Sequence, residues 1–445
     1  MQRFRRARVP RAYLPAGLGE GQPQPYPGED TALVDIDVEG DRIAAVHAHD
    51  HVPAPVETET IDADGRLLFP GLVDVHTHLD KAHTWFRAPN PSGTFDEAIR
   101  ILAEDTANWS EDDLLARGRY SLQCAVAHGT TALRTHLDSS PDFGDVAHAV
   151  TAQLREAFAD TLTLQSVSLC GMDAWDSPRG EAIAQMTRRH GGSALGGFSK
   201  ANPDIAHQLD RLLATARDYE LGVDLHVDET HDCASVALHE TAKAVLRNGF
   251  EGRVVCGHCC SLSQHDPKQQ QETLALCRDA GLGIVSLSMC NLYLQGRAFA
   301  QETELTGPLT PQWRGLTLVH ELLAAGVPVA FASDNVRDAF FAFGDFDMAE
   351  VLNESWRIAH LDTRPGEGLR SVAQHPAWMM GLGEVGRIDA GARAALILFE
   401  ARNLSELLSR RSLPRRVFRG ERELNATPPP YAELPELRIE PFPTS

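Results

Sequence analysis

The stretch FPGLVDVHTHLDK, residues 69–81, begins as an apolar run and ends in two histidines one residue apart, then an acid and a lysine. A short run of this composition predicts a strand buried on both faces. On a strand, alternate side chains share a face, so His76 and His78 leave the same side about 7 Å apart along the backbone. That geometry suits one metal ion, and it equally suits two ordinary histidines at a strand end. Whether further ligands exist decides between the two.

Seven more β-rich runs follow the first, which spans Leu67–Val75: Thr130–Leu137, Thr161–Leu169, Ala194–Phe198, Leu221–Val227, Arg253–Gly257, Leu282–Ser288 and Val327–Ala332. Between them lie segments such as Glu111–His128, Asp204–Tyr219, Cys233–Asn248 and Leu316–Ala325, where apolar residues recur at three and four positions. Eight strands in this rhythm predict an α/β chain with a (β/α)8 TIM barrel, with a doubly wound sheet as the alternative. The polar residues separate the two. His76 and His78, Arg134 and His136, Lys200, His226 with Asp228 and Glu229, His258 and Asp334 all close a strand at its C-terminal end, where a barrel brings many strand ends around one mouth. Coincidence at the ends of strands one, five, six and eight favours a shared metal site over buried core histidines.

The flanks have a different character. Ala32–Ile36, Arg42–Val46 and Glu57–Ile61 predict short antiparallel strands. Beyond the barrel, helical patterns at Phe346–Ile358 and Ser371–Met380 lead to strand-like Val385–Phe399 and Arg416–Leu424. The expected organisation is therefore 1–66 as the N-terminal part of a β-sandwich, 67–383 as the barrel, and 384–445 as the rest of the sandwich and a tail. Pro428–Pro430, Pro441 and Pro443 mark that tail as a surface strap or partly disordered.

With 445 residues, 43% hydrophobic and 23% charged, the chain is long enough for one large and one small domain. A net charge of −21 argues against nucleic-acid or anionic-membrane surfaces. The arginine-rich start lacks the apolar core of a secretory signal, and no stretch approaches the roughly 20 apolar residues of a membrane span. Eight scattered cysteines fit a cytoplasmic protein.

Two histidines from one strand, one from another and a carboxylate from a third form a nitrogen-rich site that leaves room for water, which a divalent ion converts to a nucleophile near neutral pH. Glu229, three residues after His226, adds a proton carrier. Adding hydroxide to the carbon of a C=N bond requires a proton on that nitrogen, so the acid tilts the chemistry from amide hydrolysis toward deamination.

FPGLVDVHTHLDK, LRTHLD, LHVDE, GHCCSLS, NLYLQGR and ASDNVRD, in that order, resemble the successive motifs of the amidohydrolase superfamily, and within it the bacterial cytosine deaminase branch. The resemblance implies a TIM barrel plus β-sandwich, one Zn or Fe ion, a homo-oligomer, and hydrolytic loss of an amine from a small N-heterocycle or cyclic amidine such as cytosine, isocytosine, creatinine or an amino-triazine. By position it implies His76, His78, His226 and Asp334 as ligands of the metal that carries the attacking hydroxide. Glu229 is then the proton shuttle to the ring nitrogen, Asp334 passes a proton to the leaving amine, and His258 holds the hydroxide. Asn335 and Phe340 line the substrate pocket, with Lys81 and Gln295 as further contacts. The chain departs from that branch at LCGMDAW, residues 169–175, where Gly171 stands in a stretch lacking the family's substrate-reading glutamine, and at Asn335 and Phe340 in place of aspartate and tryptophan. These departures bear on the substrate more than on the reaction. A carboxylated Lys200 bridging two metals, suited to cyclic amides, is the enzyme alternative; an inactive scaffold is the non-enzyme one. His83, His136 and His231 are expected near the mouth in supporting roles.

Overall fold

The computed structural model describes residues 1–26, 28–49, 58–140, 143–299, 308–410 and 412–434. Eight strands, numbered here β1 (Leu72–Thr77), β2 (Thr130–Asp138), β3 (Thr163–Leu169), β4 (Ala194–Ser199), β5 (Gly222–Val227), β6 (Val254–His258), β7 (Gly283–Ser286) and β8 (Val329–Phe331), pair in parallel and in chain order. Beyond β8, the Thr77–Asp334 bridge returns the chain to β1: Asp334 N donates to His76 O at 2.9 Å and Thr77 Oγ1 to Asp334 O at 2.7 Å. Helices Glu111–Ala127, Gly144–Ala157, Pro178–Arg189, Ile205–Asp218, Ala237–Asn248 and Pro267–Asp279 follow β1 to β6, and Val319–Ala324 precedes β8. The strands are apolar on both faces because helices cover the outside while side chains fill the lumen. The fold is the expected (β/α)8 barrel.

The first apolar run divides. Leu68–Pro70 pairs antiparallel with Ala395–Phe399 in an outer sheet, and only the residues from Leu72 enter the barrel. Gly71 sits at the division, where a Cβ would lie 2.8 Å from Thr131 Cβ and 2.9 Å from Ala395 Cβ, so no larger residue fits between the two sheets. Val385–Phe399 likewise contracts to Ala395–Phe399, because Gly386 and Gly391 adopt left-handed turns ahead of it.

Two four-stranded sheets flank the barrel. One runs Arg42–Ala48, Thr31–Glu39, Gln2–Pro10, Glu59–Asp62; the other runs Arg422–Leu424, Arg415–Arg419, Ala395–Phe399, Leu68–Pro70. Phe4 and Phe418 meet edge to face across them at 4.8 Å. Two expectations change. The arginine-rich start is a central strand, since Arg3 is buried against Asp37 through bonds of 2.6 and 2.7 Å and its charge hides the alternation. Glu59–Asp62 pairs parallel, not antiparallel, with that strand, while residue 57 of the expected strand lies outside the described residues. Residues 428–434 do act as a strap, Pro429 O accepting from Tyr120 Oη at 3.0 Å and Tyr431 lying under Arg337. Pro441 and Pro443 lie outside the described residues. No described helix is long and apolar enough to cross a membrane.

Candidate active site

Strand ends β1 and β5 and the residue that closes β8 onto β1 converge at one mouth. His76 Nε2 lies 3.0 Å from His226 Nε2, which lies 3.2 Å from His78 Nε2. Asp334 Oδ1 is 3.6 Å from His76 Nε2 and 3.4 Å from His78 Nε2. Burial holds all three imidazoles well below their usual pKa, with neighbouring histidines and Lys81 adding to the effect, so each is a neutral ring with a lone pair. Burial raises Asp334 to about 7, and neither of its oxygens has a hydrogen-bond donor. Lone pairs this close repel one another unless a cation lies among them. Four such atoms around one ion at 2.0–2.2 Å would stand about 3.4 Å apart. The donor set therefore fits one divalent metal ion.

The backbone is bent to make this possible. His258 and Asp334 have φ of 68° and 58°, left-handed values that non-glycine residues rarely adopt and that cluster at functional sites. Gly257 leaves the space beside His76, where a Cβ would sit 2.8 Å from the ring.

A second layer centres on Asn291, in the helix Ser288–Leu294 that follows β7. Its Nδ2 donates to Glu229 Oε1 at 3.0 Å and lies 3.1 Å from His258 Nδ1. One amide nitrogen carries two hydrogens, so it serves both acceptors when Glu229 is a carboxylate. His258 then keeps its proton on Nε2, an atom buried without a partner. Burial, and then Asp334, hold the Glu229 pKa well above its usual value, with Lys200 partly offsetting them. Its surroundings favour the protonated form, which makes it a candidate proton carrier.

His136 lies beneath the cluster, its ring 4.0 Å from that of His76 and its Nε2 3.7 Å from Asp224 Oδ1. Asp224 accepts from Arg134 Nη1 at 2.7 Å, which makes a charged floor under the metal-type residues. Above them a cavity of about 610 Å³, counting its open mouth, is lined by His78, Lys81, Asp138, Glu229, Asn335 and Phe340 among others. Lys81 Nζ pairs with Asp138 Oδ2 at 2.8 Å. Gly171 and Gln295 are not among the lining residues: Gly171 bridges to Phe198 through its backbone, and Gln295 Nε2 turns to Glu229 O at 3.4 Å. His83 packs on Tyr120, and His231 on Trp313, away from the cluster.

The model of the amidohydrolase family matches residues 59–166 and 198–411. The chain is 44% identical, over 83% of its length and 83% of the relative's, to a pterin deaminase of Rhizobium rhizogenes. The chain belongs to the amidohydrolase family. This amidohydrolase is also 25% identical, over 77% of its length and 81% of the relative's, to N-isopropylammelide isopropyl amidohydrolase of a Pseudomonas species. In fold it resembles 5-methylcytosine deaminase from Klebsiella pneumoniae liganded with phosphonocytosine, with TM-score 0.80, 24% identity, and 95% and 98% of the two chains covered. Every residue that reaches the four-atom cluster was legible from its strand-end position. Asn291 was not, because an amide on a short helix carries no metal-type signal, although it lies inside NLYLQGR.

Proposed function

We propose that this amidohydrolase is a mononuclear metal-dependent deaminase that hydrolyses the exocyclic amine from an amidine-type ring carbon. The preferred ring is the 2-amino-4-oxopyrimidine of isocytosine, free or fused as it is in pterin. One observation carries the reading: the Glu229 carboxyl, held by Asn291 beside the His76, His78, His226 and Asp334 cluster, is placed to carry a proton that simple amide hydrolysis does not need. The pterin deaminase relative supports the fused ring.

The net reaction replaces C–NH2 by C=O, consuming one water and releasing ammonia. His76, His78, His226 and Asp334 would hold a Zn or Fe ion, which would supply a water of lowered pKa and Lewis-acid polarisation. Glu229 takes one proton from the attacking water and delivers it to the ring nitrogen. Asp334 takes the second proton to the departing amine, and His258, donating through Nε2, orients the attacking oxygen. Asn335 and Phe340 contact the ring, with Lys81 at its edge. Lys200 rests on a ring face, which gives the two-metal alternative no support. Eight free thiols support a cytoplasmic setting, and a homo-oligomer is the accompanying expectation, read by light scattering.

The test is ammonia release by metal-quantified protein from pterin, isocytosine, cytosine, creatinine and an amino-triazine. Release from pterin or isocytosine with about one metal per chain is the expected result. Release from cytosine or creatinine alone moves the substrate, and silence across the panel overturns deamination.

A further inference from the structure

The cavity does not end at the cluster. Its outer wall is Phe95, Ile99 and Leu102 from the helix Phe95–Asp105, with Phe198 and Lys200 from the end of β4. Phe198 and Lys200 both face the cavity, Lys200 from the bend just past the strand end. Phe198 is 52% exposed although it sits at a barrel strand end, which leaves an aromatic face open to whatever occupies the cavity.

Lys200 differs from the other cation on this wall. Lys81 is neutralised by Asp138 at 2.8 Å. Among the described residues no carboxylate lies within 4.0 Å of the Lys200 ammonium, which instead stands 3.6 Å over the centroid of Phe95. A cation–π contact orients the ammonium and leaves it hydrogens to donate. A flat substrate filling this space displaces the water that otherwise solvates those hydrogens, so the acceptor has to come with the substrate. Lys200 is also near the chemistry, because its charge is felt at both Glu229 and His258.

We propose that the Lys200, Phe95 and Phe198 end of the cavity is a subsite for a carboxylate borne on the substrate ring on the side away from the amine, the ring lying against Phe198. A phosphate is disfavoured: among the described residues Lys200 is the one cation on this wall without a carboxylate partner, and a single ammonium matches a single negative charge better than a dianion.

The proposal rests on the deaminase reading only for the reacting end, and its test reads the two apart. Calorimetric titration of the metal-loaded Glu229→Gln protein, in which turnover is suppressed, with 2-amino-4-oxopyrimidine-5-carboxylate and its 5-carboxamide, and with the same pair built on the pyrazine ring of pterin, measures binding. In at least one series this protein, with Lys200 intact, is expected to bind the carboxylate about ten- to hundredfold more tightly than the amide. Lys200→Met is expected to erase that ratio at unchanged metal content, and Lys200→Arg to restore part of it. A ratio near one in both series overturns the subsite, as does a ratio that survives Lys200→Met. Ammonia release by the wild type from the same compounds reports separately on deamination: a Lys200-dependent ratio without ammonia keeps the subsite and removes the reaction.

Discussion

Replacing Asn291 by alanine removes one amide that neither touches the four ligand atoms nor itself lines the cavity, yet it serves two proposed catalytic groups at once. Its bond to Glu229 Oε1, at 3.0 Å, is to a buried carboxylate, a class worth about 1.5–3 kcal/mol. Its contact with His258 Nδ1, at 3.1 Å, is a neutral bond worth about 0.5–1.5 kcal/mol. If both act in the transition state, the loss is about 2–4.5 kcal/mol, or roughly 30- to 2000-fold in turnover at about 1.4 kcal/mol per decade. The fall should appear in kcat with KM little changed, because the amide orients groups that move protons and does not grip the ring. Metal content should stay at the wild-type value. Asn291→Asp should be worse than alanine, since it sets a second carboxylate against Glu229 and makes His258 place its proton on Nδ1, which takes the donor away from the reacting oxygen. The checks are steady-state ammonia release and elemental analysis of the purified variants. Loss of metal from Asn291→Ala, or a rise in KM with kcat intact, would refute the assignment, as would an aspartate variant as active as the wild type.

Glu229→Gln keeps shape and hydrogen-bonding reach but cannot shuttle a proton, so turnover should fall by about 10²- to 10⁴-fold with metal retained; metal loss there would make Glu229 a ligand. His226→Ala removes a nitrogen shared by both close contacts in the cluster, and bound metal measured after dialysis should drop well below one per chain along with activity. Arg415 donates to both oxygens of Asp347 at 2.8 and 2.7 Å, so Arg415→Met strands a buried carboxylate and should cost about 3–5 kcal/mol in urea unfolding. Burial raises the Asp347 pKa, but Arg415 and His128 more than offset it and leave it below the ordinary value. The stabilisation from that carboxylate is therefore present above about pH 4 and lost as pH falls through the folded value, and the wild type's acid unfolding should show a component that Arg415→Met lacks.

The barrel was legible because its strands are apolar on both faces and its helices repeat at 3.6 residues, and both signals survive without knowledge of the partners. The cluster was legible for a related reason. A barrel sends its polar strand ends to one place, so position along each strand stands in for position in space. What escaped was whatever depends on a partner remote in sequence. Gln2–Pro10 is a central strand in which Asp37 and Asp62 hold Arg3 and Arg6, and without those acids its charges hide the strand pattern. The division at Gly71 depends on Thr131 and Ala395, more than 50 and 300 residues away. Lys81 was read as a substrate contact, and the fold pairs it with Asp138, a residue 57 positions on that the sequence did not single out. Gly171 and Gln295 were placed by motif position alone, which fixes the loop but not the direction of a side chain or the backbone bridge that occupies a glycine.

The position of Asp334 explains why the site and the barrel's closure are one problem. β7 and β8 pair over only three registers, and β8 does not reach the mouth. The seam between last and first strand is held at its upper end by Asp334 N on His76 O and Thr77 Oγ1 on Asp334 O. Those bonds fall to the backbone of the residues whose side chains form the cluster. The left-handed φ of Asp334 lets its backbone close the ring while its carboxylate turns to face His76 and His78. A residue in an ordinary extended conformation would continue β8 and point its side chain along the strand's alternation. The strain, of order 1–3 kcal/mol, is tolerable because bonds on both sides of the seam over-determine it. Departures in the pocket at Asn335 and Phe340 come after this fixed point. The proposed substrate contacts can therefore vary along the following loop without moving the proposed ligand.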